Sequence, residues 1–469
     1  MIATASAELS RVPVAVEARA QPFGRLPFGF ARRFVVGLVI GLAWLVPAWW
    51  APRFVAAMFL WDALLLAAWL WDFSRLPFPR QITVQRVWHT RPALGVPSRI
   101  DLQIASDRLL IVRVRLLDET PASLVAEPPA LVATLPARGS TVVSYSMLPR
   151  QRGETHVGRV FLRYQSALQL AERRAQADVS QTVRVLPNIE QARKQTLSLI
   201  RSRQAEMEKR HQRHRGMGRE LDSLREYQQG DDLRDVCWTA TARRHHLITR
   251  VFRMERSQTV WLVLDAGRLM RAQVQEPGSL LRLSKLDHAV NAALSLAQVA
   301  MQCGDRAGLL AYGSRPQRSL MPACNSEQAR RFVDELAQVH AESSEPDHGR
   351  AVRTLLGWQK RRSLIVWITD FAETATVPEV IEYAMQMTPR HLVIFAAIRQ
   401  PELGALADAT PASPDEMYRH AAALEISQRR ESLLRRLRQR GVQAFEWMPW
   451  TLSSILVNRY LEIKERNSL

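Results

Sequence analysis

Hydrophobic residues follow three different patterns along the chain, and the first of them predicts a membrane anchor. Two continuous apolar segments, FVVGLVIGLAWLVPAWWA and FVAAMFLWDALLLAAWLW, lie between Phe34 and Trp71 and are joined at Pro52 and Arg53. Each segment is close to the ~20 residues that a helix needs to cross a bilayer. The pattern therefore predicts a transmembrane helical hairpin over residues 34–72, with the lipid bilayer as a partner.

Arginines on either side of this hairpin predict its orientation. The turn holds only Arg53. Arginines gather before the first span and after the second, at Arg32, Arg33, Arg75, Arg80, Arg86 and Arg91. The positive-inside rule then places both ends in the cytoplasm. We predict a protein of the inner (cytoplasmic) membrane with two spans and cytoplasmic N- and C-termini.

Two alternatives within this region stay open. A cleaved signal peptide is one, but the first segment lacks a small-residue cleavage site and a second span follows at once. The role of Asp62, inside the second span, is the other question. A carboxylate there either meets a partner within a helix bundle or is tolerated in a protonated or hydrated form.

The second pattern, a period of two, predicts β-strands after the hairpin. Short alternating runs are interrupted by proline or glycine, and they include Ile82 and Val84, Ile100 and Leu102, and Val112 and Val114. Such runs are typical of an antiparallel sandwich. We predict an antiparallel β-sandwich domain over residues 81–188, which serves as a spacer or docking module.

The third pattern predicts an α/β domain in the C-terminal half. The continuous apolar runs TVWLVLD, RAGLLAYG, SLIVWITD, HLVIFAAI and GVQAFEW alternate with helical segments. Strands of this kind belong to parallel sheets that helices cover on both faces. We predict a Rossmann-like α/β domain over residues 257–465, and hence a multidomain chain.

Charge adds two segments and narrows the class of partner. Residues 1–33 predict a basic disordered tail, and residues 189–217 a basic helical linker; the formal net charge of the chain is +19. Such an excess suits the phosphates of nucleic acid or of anionic lipids. The two spans favour lipid, and the linker lacks the interleaved aromatic residues of a single-strand binder. We expect no nucleic acid, and keep a basic nucleic-acid-binding protein as the second alternative function.

Residues 218–256, the signature segment, have the highest density of charged and aromatic side chains. Gly230 predicts a turn, and the aspartates after it predict the N-cap of a helix over about 232–244. The candidate partner-binding or interdomain residues are Arg225, Tyr227, Asp231, Asp232, Arg234, Asp235, Trp238 and Arg243. We expect an interdomain element that also binds a partner, fixed by packing of Trp238 and by pairing of Arg234 or Arg243 with carboxylates.

Two carboxylates follow apolar strands of the predicted parallel sheet. Asp265 ends TVWLVLD and Asp370 ends SLIVWITD. Ligands of open parallel sheets bind at the carboxyl ends of strands, and paired carboxylates suit hard divalent cations. Asp265 and Asp370 are therefore the candidate metal ligands.

These motifs together resemble known families. VLDAGRLM, ITDF and the order of elements resemble the von Willebrand factor A fold. DSLREYQQGDDLRDVCWTATARR, followed by VFRMER, resembles the signature of the bacterial domain-of-unknown-function family 58. In that family a two-span N-terminus and a β domain precede an A-type domain. The resemblance implies a MoxR-type AAA+ ATPase as the partner, which this chain does not itself encode.

The A-type resemblance also implies a metal-ion-dependent adhesion site, built from Asp-x-Ser-x-Ser, a threonine and a further aspartate. Asp265 matches its first aspartate and Asp370 its last. The positions of the hydroxyl ligands are taken by Gly267, Leu269, Pro346 and Asp347. The resemblance thus implies a degenerate site for Mg²⁺ or Mn²⁺, and we expect no cofactor.

Catalytic motifs are absent from the sequence. The phosphate loop GxxxxGK[ST], the nucleophile elbow GxSxG and the zinc helix HExxH do not occur. We predict a membrane-anchored cytoplasmic scaffold or adaptor, not an enzyme, whose A-type domain binds protein partners in the assembly or maturation of other complexes. A metal-dependent enzyme or adhesion module that uses Asp265 and Asp370 is the first alternative.

Overall fold

The protein is multidomain and contains both antiparallel and parallel sheets. A computed structural model describes residues 14–124, 130–188, 220–228, 236–253, 258–278, 281–371 and 377–466 of the 469. The chain divides into two compact units, unit 1 over residues 1–186 and unit 2 over residues 187–469. The predicted linker over residues 189–217 lies outside the described residues.

Unit 1 is built mainly from antiparallel strands. They are β1 (Val14–Arg19), β2 (Gln21–Pro22), β3 (Phe28–Phe30), β4 (Ile82–Trp88), β5 (Ser98–Ser106), β6 (Val112–Asp118), β7 (Ala130–Leu135), β8 (Ser140–Met147), β9 (Gly153–Val157), β10 (Val160–Gln165), β11 (Ala171–Ala177) and β12 (Gln181–Val185). One sheet has the order β1-β4-β5-β8, and a second has the order β2-β11-β10-β6-β7 with β3 also paired to β11. β9 pairs with β12.

The first strands correct the prediction of a disordered tail over residues 1–33 for residues 14–33, while residues 1–13 lie outside the described residues. β1 pairs with β4 along its length, and Ala15 lies opposite Val87 while Arg19 lies opposite Thr83. Val16 and Ala18 are half-buried between exposed neighbours, so the segment has the alternation of an edge strand. This alternation is short and lies among arginines, so the sequence did not predict a strand. The pairing with β4 stabilises it.

A buried ion pair joins the two large sheets of unit 1. Arg86 on β4 and Asp118 on β6 are both fully buried, and the Arg86 guanidinium donates two hydrogen bonds to the Asp118 carboxylate. Arg86 also donates to the carbonyl of Val179 at 2.8 Å, and the Tyr145 hydroxyl donates to Asp118 at 2.6 Å. Arg86, which the sequence analysis took as a charge flanking the predicted membrane hairpin, is therefore a core residue of unit 1.

The apolar region after β3 forms three helices, α1 (Arg32–Leu42), α2 (Leu45–Ala48) and α3 (Arg53–Arg75). Of the described helices, α3 has the length and hydropathy needed to cross a membrane. The segment predicted as the first span is divided into α1 and α2. α1 packs on α3, and the Trp61 indole donates to the carbonyl of Gly37 at 2.9 Å.

Two carboxylates of α3 have different environments. Asp62 Oδ1 is buried without a hydrogen-bond partner among the described residues, and a Cβ at Gly41 would lie 2.7 Å from it. Asp72, 2% exposed, accepts from the Ser166 hydroxyl and from the backbone N–H groups of Leu170 and Ala171 at 3.1 and 2.9 Å. The Asp72 carboxylate thus attaches the end of α3 to the loop between β10 and β11.

Unit 2 is organised around a mostly parallel sheet. Its strands are β13 (Glu220–Glu226), β14 (Ile248–Arg253), β15 (Thr259–Asp265), β16 (Gln273–Gln275), β17 (Arg282–Ser284), β18 (Arg306–Tyr312), β19 (Pro316–Ala323), β20 (Leu364–Thr369), β21 (Leu392–Ile398) and β22 (Gln443–Trp447). Its helices are α4 (Trp238–Arg244), α5 (Lys285–Gln302), α6 (Ser326–Ala337), α7 (His348–Trp358), α8 (Val377–Met387), α9 (Pro401–Asp408), α10 (Pro414–Gln439) and α11 (Leu452–Glu465).

The main sheet of unit 2 has the order β19-β18-β15-β20-β21-β22. All neighbouring strands are parallel except β18 and β19. Every residue of β15 and β20 is buried, because helices cover both faces of the sheet, as continuous apolar strands require. The antiparallel edge strand β19 was not predicted, since prolines at 316 and 322 are typical of loops and of sheet edges alike.

We expect loss of the buried carboxylate of Asp118 to destabilise unit 1 far more than loss of an exposed one. Asp118→Asn leaves the buried guanidinium of Arg86 without a counter-charge, a change that typically costs ~3–5 kcal/mol. The control is Glu154→Gln, since Glu154 pairs with Arg184 at the surface and such pairs are worth about 0–1 kcal/mol.

Hydrogen-exchange mass spectrometry of the full chain tests this difference on peptides from β4 to β6. Exchange should accelerate strongly in Asp118→Asn and little in Glu154→Gln. Equal protection in the two variants would contradict a structural role for the Arg86–Asp118 pair.

Candidate functional site

The described part of the signature segment is a β-hairpin-like pair with a helix between its strands. β13 pairs antiparallel with β14, and the Cys237 N–H donates to the carbonyl of Ile248 at 2.8 Å. α4 ends at His245, which adopts a left-handed conformation with φ 58°, the conformation that commonly terminates helices. The helix predicted over 232–244 thus begins at Trp238 within the described residues.

The structure places the predicted residues of this segment unequally. Trp238 is 66% exposed, so its indole does not have the packed position predicted for an interdomain joint. Arg225 and Arg243 are exposed, and Tyr227 is half-buried. Asp231, Asp232, Arg234 and Asp235 lie outside the described residues.

Asp265 and Asp370 lie at the carboxyl ends of neighbouring parallel strands, as predicted. Asp265 follows Leu264 of β15, whose partner on β20 is Ile368. Asp265 Oδ1 accepts from the backbone N–H of Gly267 at 2.7 Å, and Oδ2 accepts from the Thr369 hydroxyl at 2.6 Å. Asp265 therefore fixes the loop after β15 and joins it to β20.

Burial changes the acidity of Asp265. The side chain is 1% exposed, and removal from water raises the pKa of its carboxyl group to about 7, against the opposing effect of the bonds from Thr369 and Gly267. The nearby negative charges of Asp370 and Glu345 act in the same direction as burial. The carboxyl group of Asp265 thus changes its charge near neutral pH, a property that no local sequence pattern indicates.

Asp370 is the centre of a buried ion network. Its Oδ2 accepts from the Lys285 ammonium at 2.5 Å, and its Oδ1 accepts from the Arg430 guanidinium at 2.8 Å. Arg430 also donates to Glu446 at 2.6 Å and to the carbonyl of Ile398 at 2.9 Å. Two cationic side chains are therefore paired with Asp370. Through them, the start of α5 and a residue of α10 are both attached to the loop that follows β20.

The residues at this edge do not fit a divalent metal ion. A cation at Asp370 would meet the positive charges of Lys285 and Arg430, which already occupy both carboxylate oxygens. A Cβ at Gly267 would lie 2.5 Å from the ring of Pro346, so the ring fills the space that a serine ligand would need. Within the described residues, no group of three or more His, Cys, Asp or Glu side chains could hold a metal ion.

Asp347, at the position expected for a threonine ligand, has a different role. It is the N-cap of α7, and its Oδ1 accepts from the backbone N–H of Arg350 at 2.7 Å. Such a side-chain bond satisfies an otherwise unpaired donor of the first helical turn. In the loop where the resemblance implies a metal ligand, the Asp347 side chain therefore caps the N-terminus of α7.

A buried polar chain beside this edge was missed by the sequence analysis. The Trp367 indole donates to the Tyr312 hydroxyl at 2.6 Å, and the same hydroxyl is hydrogen-bonded to Nδ1 of His348 at 2.9 Å. Burial lowers the pKa of His348 to about 4, which keeps the imidazole neutral. Tyr312 and Trp367 lie in apolar strands. The only sign of this hydrogen-bonded chain in the sequence was that each of these aromatic side chains carries a polar atom.

Part of unit 2 matches a described family model. Residues 223–439 match the family model described as "Protein of unknown function DUF58". The matched segment begins within β13 and ends with α10, so it contains α4, both strand-end aspartates, Lys285 and Arg430. It does not include unit 1.

Individual relatives are distant. The uncharacterized protein YeaD of Bacillus subtilis (strain 168) is 25% identical over 215 residues, which cover 44% of this chain and 48% of that protein. The chain thus matches about half the length of this curated relative. Its name carries no activity that could be transferred.

Solved structures give only weak similarity. The conserved hypothetical protein BatB from Bacteroides thetaiotaomicron covers 38% of this chain and 99% of its own length, with 15% identity and a TM-score of 0.23. An uncharacterized membrane-spanning protein from Vibrio fischeri covers 45% of this chain and 98% of its own length, with 16% identity and a TM-score of 0.18. TM-scores this low support no argument about function.

The raised pKa of Asp265 predicts a specific pH dependence of stability. An unfolded aspartate has a pKa of about 3.9, so between about pH 4 and pH 7 the folded state binds the extra proton. The stabilisation is complete below the unfolded pKa and is lost as pH rises through about 7, on the order of 4 kcal/mol in total.

The comparison of wild type with Asp265→Asn isolates this contribution. Urea unfolding across this pH range should show the wild type losing stability relative to the variant as pH rises, with a constant difference above neutrality. Asp408→Asn, which changes an exposed aspartate, is the control and should follow the wild type. A constant difference between wild type and Asp265→Asn at every pH would show that Asp265 has an ordinary pKa.

Proposed function

We propose that the protein is a membrane-anchored cytoplasmic adaptor that binds a protein partner through the exposed side chains of the signature segment. The observation that carries this proposal is the exposure of Trp238, at 66%, beside the exposed arginines of the last turn of α4. Tryptophan and arginine are the residues most enriched among side chains that dominate binding energy. Trp238 is therefore the proposed anchor for another chain.

The charge around Trp238 indicates the chemistry of the partner. Arg225, Arg243 and Arg244 are exposed, whereas the exposed Glu226 is engaged at 3.3 Å with His246. A surface with excess arginine attracts and orients a partner of opposite charge. The proposed partner surface therefore combines an apolar pocket for an indole with carboxylates around it.

By resemblance, we propose a MoxR-type AAA+ ATPase as this partner, acting with the protein in the assembly or maturation of other complexes. The resemblance rests on the signature segment and on the α/β unit, for which we propose a von Willebrand factor A-like fold. The parallel strands around β15 and β20, with an antiparallel edge strand, support that assignment. The protein would act by binding rather than as an enzyme, with no cofactor.

The anchor of this adaptor is the helical region of unit 1. α3 is long and apolar enough to cross a membrane, and α1 is joined to it by the hydrogen bond from the Trp61 indole to the Gly37 carbonyl. We propose that α1 and α2 together form a first span and α3 a second. Both termini would then lie in the cytoplasm of a bacterium, by the distribution of arginines.

Substitution of Trp238 tests the binding surface. Trp238→Ala should weaken binding of a purified MoxR-type ATPase to the full-length protein by at least ~30-fold, because an anchor of this kind contributes about 2 kcal/mol or more. The matched control is Tyr418→Ala, which removes another exposed aromatic side chain (78%) from unit 2. Biolayer interferometry on the detergent-solubilised protein gives both affinities.

The outcomes separate the surface from the partner. Loss of affinity in Trp238→Ala with an unchanged Tyr418→Ala supports the signature segment as the interface. Equal affinities of wild type and both variants would exclude it, and an absence of binding to the wild type would exclude the ATPase as partner.

Cysteine labelling tests the proposed topology. Ala51→Cys places a thiol in the connection between α2 and α3, which two spans would expose to the periplasm. A membrane-impermeant maleimide added to intact spheroplasts should therefore label Cys at position 51. The native Cys324, which is exposed in unit 2, is the internal control and should react only after permeabilisation. Labelling of both thiols, or of neither, before permeabilisation would contradict this topology.

A further inference from the structure

Lys285 occupies an unusual position for a lysine. It is the first residue of α5 and is only 1% exposed. A positive charge is unfavourable at a helix N-terminus, where the helix dipole is itself positive, and burial of an ammonium is unfavourable unless it is paired. Neither local helix formation nor solvation accounts for a lysine here, so its tertiary partner must.

That partner is the last strand-end carboxylate of the candidate metal site. The Lys285 ammonium lies 2.5 Å from Asp370 Oδ2, and Asp370 is itself 4% exposed. The other oxygen accepts from Arg430 and from the backbone N–H of Phe371, both at 2.8 Å. Both oxygens of Asp370 thus accept hydrogen bonds from groups of the chain itself, two of which are positively charged.

The other positions of a metal-ion-dependent site are also occupied by groups of the chain. The ring of Pro346 packs on Gly267 where a hydroxyl ligand would stand, and Asp347 is used as a helix cap. Asp265, the other carboxylate, is bonded to Gly267 and Thr369. These contacts of Gly267, Asp347 and Asp265 do not involve the Lys285–Asp370 ion pair. They engage the side chains that would otherwise be available to bind a cation.

We infer that the ammonium of Lys285, with the guanidinium of Arg430, takes the place that a divalent cation has in a metal-ion-dependent site. The edge of the sheet is then assembled by charges that the chain itself carries. Its conformation does not respond to divalent ions or to chelators. This inference does not depend on the identity of the partner, because it concerns only residues inside unit 2.

The first test uses the wild type. The full-length protein, freed of metal with a chelator, is titrated with Mn²⁺ while the free ion is followed by electron paramagnetic resonance and unfolding is followed by calorimetry. We expect no stoichiometric binding and an unchanged melting temperature. Stoichiometric Mn²⁺ binding that raises the melting temperature and is lost in Asp265→Asn would overturn the inference.

The second test removes the built-in cation. Lys285→Ala should lower the melting temperature, and Mn²⁺ should restore part of that loss because the Asp370 oxygen that accepted from Lys285 is then available to the ion. Lys360→Ala, which changes an exposed lysine, should resemble the wild type with and without Mn²⁺. If Lys285→Ala does not fold alone, the same comparison is made by refolding it with and without Mn²⁺.

The second test has a clear negative result. A lowered melting temperature that Mn²⁺ does not change, or a failure to refold that Mn²⁺ does not correct, would mean that Lys285 is not equivalent to a bound cation. The inference would then be wrong even if the wild type binds no metal.

Discussion

A single buried carboxylate connects most of unit 2. Asp370 stands at the end of the central strand β20, and its two oxygens receive the Lys285 ammonium from α5 and the Arg430 guanidinium from α10. Arg430 continues to Glu446 near the end of β22 and lies over the ring of Phe371 at 4.7 Å. Charges inside a protein are tolerated only when they are paired and hydrogen-bonded, so the helices and strands that carry these groups must meet at one place.

Unit 1 uses the same principle for its own architecture. Arg86 and Asp118 pair between facing sheets, and Asp72 attaches the end of α3 to backbone donors of the β10–β11 loop. Buried ion pairs add little net stability when compared with apolar residues of the same size, but removal of one partner is costly. Their effect is therefore to favour one arrangement of strands and helices over others.

The two regions singled out by their residue types differ in what they leave available to another molecule. At the sheet edge, Asp265 and Asp370 are 1% and 4% exposed, and all their oxygens are engaged within the fold. In the signature segment, Trp238 and the following arginines face solvent. The paired aspartates made the sheet edge the candidate metal site. The exposure of its side chains instead favours the signature segment as the surface for a partner.

The sequence by itself determined the elements whose patterns are long and uniform. The apolar runs of β15 and β20 and the full extent of α5 follow from local composition, because buried strands and amphipathic helices need many residues of one kind. It did not predict β1, β19 or α7, whose stability comes from pairing and capping. Only the tertiary structure decided that Arg86 is a core residue, that Asp265 has a raised pKa and that Lys285 neutralises Asp370. These properties depend on groups 32 to 104 residues apart in the chain, and no local pattern records which of them will meet.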